Sequence, residues 1–325
     1  MINIIDFDHG CGGLTAGMER YGEFLVIHNP YLNEKNEKCY NNTHLNPFWS
    51  QLKVSDEDYI DLDVKIACFT PFLGKSLNRR GMKNLDLSEL EEEMRWIEVF
   101  HPDIVLFTLP TTVLPYLYTP PTKMCDGRYK TADNWPYFDK ILESLYLNHY
   151  KNFVQLTLNY QDFNIPHNKN VSFYIGWSSE KEFKLFTPQI KNKLKVIDVL
   201  KKVSISDFWH NPITKYEDIC SKIKQGSNAK KTHNLPINSG YVRLFADKVS
   251  PNLHDSFYKV SSQHPSIHPI KDRPLTIREG ALINGLDNTF IWDESLTNQE
   301  VASMINNSIS PRIGYYLAHA IFNLL

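Results

Sequence analysis

A chain of 325 residues with 42% hydrophobic and 13% aromatic side chains has enough apolar surface to bury a large core, which excludes a disordered chain and allows one large domain with or without a small one. Its longest apolar runs, such as VKIACF and DIVLF, are strand-length and too short for a bilayer, and the first residues lack a basic-then-apolar signal pattern, so an intracellular, cytoplasmic protein away from membranes is expected. A net charge of −2 excludes a uniformly basic nucleic-acid binder.

In chain order, Ile2–Phe7 reads as a short apolar strand, and Gly10, Gly12 and Gly13 make the turn after it. A helix from about Leu14 to Tyr21 follows and stops at Gly22. Phe24–His28 and Val64–Phe69 are the next strands. Leu90, Met94 and Ile97 recur at helical spacing in SELEEEMRWIEVF, where Ser88 and Glu91 resemble a capping box. DIVLF predicts a strand, WPYFDKILESLYLNHY a helix, and FVQLTL and VSFYIGW two more strands. This alternation argues for an α/β fold with a doubly wound, mostly parallel sheet. After Trp177 the alternation breaks down. Helices return at Pro274, with a second capping box at Thr276 and Glu279 and an amphipathic helix that begins at Pro311. The expected division is 1–177 for the α/β domain, 178–272 for a small irregular region and 273–325 for C-terminal helices packing back.

Charge is unevenly spread. Between Lys181 and Lys231 lie twelve lysines, no arginine and five acids, a net of +7 that leaves −9 on the remainder. Lys191, Lys193, Lys195, Lys201, Lys202, Lys230 and Lys231 are candidate phosphate contacts, together with Lys75 inside the α/β domain. A solvated lysine-rich face has the same pattern. Cys11, Cys39, Cys68, Cys125 and Cys220 are odd in number and scattered, which argues against a disulfide framework or a metal site and for reduced thiols, with Cys68 in the core.

A strand, then Gly10-x-Gly12-Gly13, then a helix can bring a nucleotide-like ligand against backbone N–H groups at a helix N-terminus. Many tight turns need glycine for positive φ and bind nothing.

Three stretches carry a family resemblance. IDFDHGCGGLTAGMERYG resembles the first motif of DNA (cytosine-5) methyltransferases, PLTIREGALINGLDNTF their late helix motif, and NNSISPRIGYYLAHAI their closing helix. FNIPHNKNVSFYIGW and RLFADKVSPNL, with SIHPIKDRP after it, fit the intervening segments in the same order. The resemblance implies the class I S-adenosylmethionine-dependent methyltransferase fold, with residues 178–272 as a target-recognition-like region. It also implies an S-adenosylmethionine site built from Asp6, Gly10, Gly12, Gly13, Leu14 and Tyr31.

The family's chemistry needs a cysteine nucleophile, a glutamic acid at the ring and arginines that hold the base. Here the nucleophile aligns with Phe72, the glutamic acid with Thr108, and the two arginines with Lys169 and Val171. Phe72 has no nucleophilic atom. Cys68 is four residues upstream, up to ~13 Å along an extended strand. Asp8 stands where the family has a phenylalanine against the cofactor, Pro30 where it has a ribose-binding glutamate, and Asn306 where it has a glycine. The resemblance therefore implies a catalytically degenerate member with no intact catalytic residue.

Two functions follow as expectations. One is a binding protein for DNA or another nucleic acid, or for a protein partner such as an active methyltransferase or a restriction or defence component, with S-adenosylmethionine binding left open. The other is altered chemistry in the same cleft, using Asp8, His9, Lys75, Thr108, His167 or Lys169 on another base or nucleotide.

Overall fold

A computed structural model describes residues 1–8, 10–30, 32, 34–45, 63–69, 95–110, 150–204, 206–213, 217–227, 241–259 and 265–325. Six strands form the central sheet: β1 Ile2–Asp6, β2 Phe24–His28, β3 Ile66–Phe69, β4 Ile104–Pro110, β5 Asn152–Asn159 and β6 Asn170–Trp177. Their order is β2-β1-β3-β4-β6-β5. The first four are parallel, and β6 runs antiparallel to both β4 and β5. β3 is buried along its whole length (IACF), which is why it lacks the alternating pattern of a one-sided strand. Cys68 lies in it, fully buried in the core.

The strand readings from sequence hold to within two residues at each end, except that β4 runs three residues past the DIVLF segment, to Pro110. Residues 95–100 are helical. Ser88, Glu91 and the WPYFDKILESLYLNHY segment up to its last residue, Tyr150, lie outside the described residues.

Helix α1, Gly13–Glu19, starts one residue earlier and ends two earlier than the sequence pattern suggests. Gly12 is its N-cap at φ 63°, a left-handed conformation that the rings of Tyr40 and His44 further restrict by packing where a Cβ would stand. α2 is Glu37–Thr43. Among the described residues the irregular stretch after Trp177 holds short elements: α3 Val196–Leu200, α4 Glu217–Ser221, and the strand pair β7 Val242–Arg243 and β8 Ser266–Ile267. α5 Ile277–Ile283 begins at the expected capping box, in which Thr276 Oγ1 accepts from the Glu279 N–H and the Thr276 N–H donates to Glu279 Oε2. α6 is Asn298–Asn307, and α7 is Pro311–Phe322 with proline in its first turn.

The last helix returns to the first. Gly17 of α1 faces the backbone of Pro311, and Gly314 of α7 faces the backbone of Leu14, so neither position has room for a side chain. This close crossing seals one face of the sheet with Leu14, Met18, Ile313 and Leu317. A second cluster joins Cys11, Ala16 and Cys39 to Trp209, Leu253, Trp292 and Ile305, tying the irregular region and the C-terminal helices to the glycine turn. Among the described residues no helix is long and apolar enough to cross a membrane.

Candidate functional site

Parallel strands deliver their C-terminal ends to one edge of a doubly wound sheet, where such folds hold ligands. Here that edge carries Asp6, the glycine turn, Phe69 and Thr108. The register adds β6, which places Phe173 opposite Thr108 and Val171 opposite Pro110. Thr108 and Val171 thus lie on two neighbouring strands, with Lys169 just before the second of them. Phe72 and Lys75 lie outside the described residues.

The turn itself is filled by the chain. Asp8 is buried, and its carboxylate accepts the Gly10 N–H at 2.6 Å through Oδ1 and the Gly12 N–H at 2.9 Å through Oδ2. These are N–H groups of the kind with which a glycine turn at a helix start holds a ligand's anion. Asn29 Nδ2 donates to the Asp8 carbonyl at 2.9 Å. Below it, Asp6 accepts from Thr15 Oγ1 at 2.5 Å, Tyr40 Oη at 3.1 Å and the Asp8 N–H at 3.2 Å. Burial pushes the Asp6 carboxyl up to about 7, against the pull of those donors. Burial also raises Asp8 well above the carboxylate range, and the neighbouring Asp6 charge adds to it. Leu14 puts its side chain in the core, Pro30 is half-buried, and His9 and Tyr31 lie outside the described residues.

The polar residues near the other strand ends are also engaged within the fold. Lys169 Nζ donates to the carbonyls of Asn306 at 2.6 Å and Ser308 at 3.1 Å, at the C-terminal end of α6, and sits 5.3 Å above the Tyr160 ring. Burial lowers its pKa to about 8. His167 Nε2 accepts the Leu253 N–H at 3.1 Å, which leaves Nδ1 to carry the proton and donate to Asn284 Oδ1 at 3.0 Å. Asn284 in turn donates to the Ile305 carbonyl at 2.6 Å. Burial lowers His167 to about 3, so it is neutral at physiological pH with both ring nitrogens occupied. Thr108 is buried, with Oγ1 3.5 Å from the Phe69 carbonyl. Val171 is a core residue.

Sequence reasoning missed how Asp8 is used. The signal was an acidic residue two before Gly10 and four before Gly12, a spacing at which a short side chain can cap backbone N–H groups. It also missed Asn284, whose bond to His167 spans 117 residues.

Five of the candidate lysines are placed: Lys191, Lys193, Lys195, Lys201 and Lys202, all exposed around α3. Among the described residues no carboxylate pairs with any of them. Lys230 and Lys231 lie outside the described residues. The buried arginines serve the fold: Arg243 bonds Asp272 at 2.6 Å, Arg273 grips Glu279 at 2.7 and 2.8 Å, and Arg278 bonds Asp207 at 2.5 Å.

The pattern of the C-5 cytosine-specific DNA methylase family matches residues 128–323, more than half of the chain. The chain belongs to that family. It is 24% identical to the Type II methyltransferase M.DdeI of Desulfomicrobium norvegicum, in an alignment covering 98% of this chain and 88% of that protein. Its fold is similar to that of a DNA modification methyltransferase encoded within an E. coli prophage (TM-score 0.71, 15% identity, 100% of this chain and 99% of that one). It is also similar to S. pombe Dnmt2 (TM-score 0.63, 13% identity, 99% and 98%) and to the Entamoeba histolytica methyltransferase EhMeth (TM-score 0.61, 15% identity, 99% and 98%). At such identities the structural likeness speaks for the fold: the mixed sheet and its flanking helices are those of the class I S-adenosylmethionine-dependent methyltransferases.

Proposed function

We propose that this member of the C-5 cytosine methylase family binds nucleic acid through phosphate contacts and transfers no methyl group. The observation that carries the absence of transfer is the Asp8 carboxyl seated on the Gly10 and Gly12 N–H groups at 2.6 and 2.9 Å, and the exposed lysines carry the binding.

The fit to S-adenosylmethionine is poor on the same ground. The Gly10 and Gly12 N–H groups already hold a buried carboxyl and are taken from the ligand's own carboxylate. Pro30 carries no oxygen that could accept from ribose hydroxyls. Losing a charge-assisted bond of that kind costs roughly 1.5–3 kcal/mol, about ten- to a hundredfold in affinity.

The remaining positions support the same conclusion. Phe72 supplies no nucleophile, Thr108 is no carboxylic acid, and Val171 is core in place of an arginine. Altered chemistry in the cleft is disfavoured because Asp8 and Lys169 are bonded to the backbone of the fold and both ring nitrogens of His167 are occupied. An imidazole with both nitrogens bonded and a pKa near 3 is no proton carrier near neutral pH.

Binding by the five exposed lysines is a phosphate reading. Lysine is a point charge on a flexible stem and lacks the fork that reads guanine, so weak sequence preference and steep salt dependence are expected. The test is fluorescence anisotropy with labelled duplex DNA over a salt series, run beside a labelled-methyl transfer assay on the same DNA. Salt-sensitive binding with no transfer is the expected result. Methyl transfer, or no DNA binding at low salt, overturns the reading, and a co-purifying protein partner in the second case would move the function to protein recognition.

A further inference from the structure

A cavity of about 440 Å³ opens between α3, α5, α7 and the end of α1, away from the glycine turn. Arg20, one of its lining residues, caps the C-terminal end of α1. Gly12 caps the other end eight residues away, about 12 Å at 1.5 Å per residue. None of Asp8, Thr108, Lys169 or Val171 lines this cavity.

Its volume lies in the usual range for small-molecule sites, which are mostly apolar with a few placed polar groups. The apolar lining comes from residues such as Ile165, Leu194, Val199 and Leu286, and the aromatic lining from Tyr315 and Tyr316. These two rings meet edge to face at 5.6 Å, and Tyr315 is 42% exposed. Three cations and one acid complete the set. Arg20 and Asp287 cancel one another in a two-bond pair at 2.7 and 3.3 Å. Arg312 and Lys202 do not cancel. Among the described residues the Arg312 guanidinium bonds only the Asn164 carbonyl, at 3.1 Å, and no carboxylate meets either cation.

The cavity thus combines apolar walls, two tyrosine rings and two uncompensated cations, one of them a guanidinium fork. Flat heteroaromatic rings stack on tyrosine, and a phosphate matches the fork. We propose that this cavity is a binding site for a nucleoside monophosphate, with the base against Tyr315 and Tyr316 and the phosphate on Arg312 and Lys202. The site stands on residues separate from the glycine turn, so it holds whether or not the chain transfers methyl groups.

The experiment is calorimetric titration of the full chain with AMP and CMP, with adenosine and inorganic phosphate as separate probes. At least one nucleotide binds with Kd below about 1 mM, and both half-ligands bind at least about tenfold more weakly. Binding weakens about tenfold or more in the Arg312→Gln, Lys202→Gln double variant and again in Tyr315→Ala. Thermal melting checks that each variant is folded, and Tyr315→Leu replaces Tyr315→Ala if the latter is not. No binding of either nucleotide, phosphate alone binding as tightly, adenosine alone binding as tightly, or nucleotide affinity unchanged in the double variant would each overturn the proposal.

Discussion

Asp8 and Gly12 are joined by a 2.9 Å hydrogen bond that closes the glycine turn from within. The donor is a backbone N–H at a helix N-terminus and the acceptor is a buried carboxylate, so the turn is its own ligand. This relationship keeps the strand-turn-helix geometry of a nucleotide-binding motif and turns two of its N–H groups inward.

Cutting Asp8 back to alanine leaves the Gly10 and Gly12 N–H groups buried without their partner. Asp8→Ala is expected to lower stability by about 1–3 kcal/mol at neutral pH. Formate or acetate, a detached carboxylate of the right size, restores part of the loss in the variant and leaves the parent unchanged. Denaturant melts with and without the anion measure this; a variant as stable as the parent, or indifferent to the anion, contradicts the assignment.

Lys169 serves as a cap for α6 through the Asn306 and Ser308 carbonyls. Lys169→Met removes both bonds and is expected to cost about 1–3 kcal/mol in urea unfolding. An effect below about 0.5 kcal/mol would mean the amine is free for another role.

His167 gives a pH signature. Its folded pKa is lowered to about 3 by burial, below the ordinary value of 6.5. Stability from keeping it neutral is fully present above pH 6.5 and is lost as pH falls towards 3, because the unfolded chain takes up a proton that the fold refuses. The stability gap between the parent and His167→Gln should therefore narrow on acidification, by up to about 1.4 kcal/mol per pH unit. A gap constant from pH 7 to pH 4 would show that the imidazole titrates freely in the fold.

The parts legible in sequence are those encoded locally. Strand β3 is a continuous apolar run, the Thr276 and Glu279 capping box is a spacing, and Pro311 marks a helix start, so neighbouring residues suffice to read each. The family order of motifs carries the fold. What sequence does not reveal depends on contacts distant in the chain or on how a side chain turns. Nothing near His167 announces Asn284, and nothing near Lys169 announces the end of α6. Gly17 and Gly314 read as ordinary helix residues until α1 and α7 are seen to touch through them.

That crossing is itself testable. Gly17→Val puts a branched side chain against the Pro311 backbone and is expected to destabilise by about 3 kcal/mol or more, since a packed crossing has no soft neighbour to yield. A melting temperature equal to the parent's would mean the helices can separate without loss.

The exposed lysines predict a counterion effect. Changing Lys191, Lys193, Lys195, Lys201 and Lys202 to glutamine together should weaken DNA binding at low salt. It should also flatten the slope of log K against log salt by up to about 4.5, at roughly 0.9 for each phosphate no longer neutralised. An unchanged slope would place the DNA elsewhere on the surface.

The central claim, that the glycine turn is filled by Asp8, is tested most directly by titrating the full chain calorimetrically with S-adenosylmethionine. The account predicts no binding up to about 1 mM. A Kd in the micromolar range for the unmodified chain would contradict it.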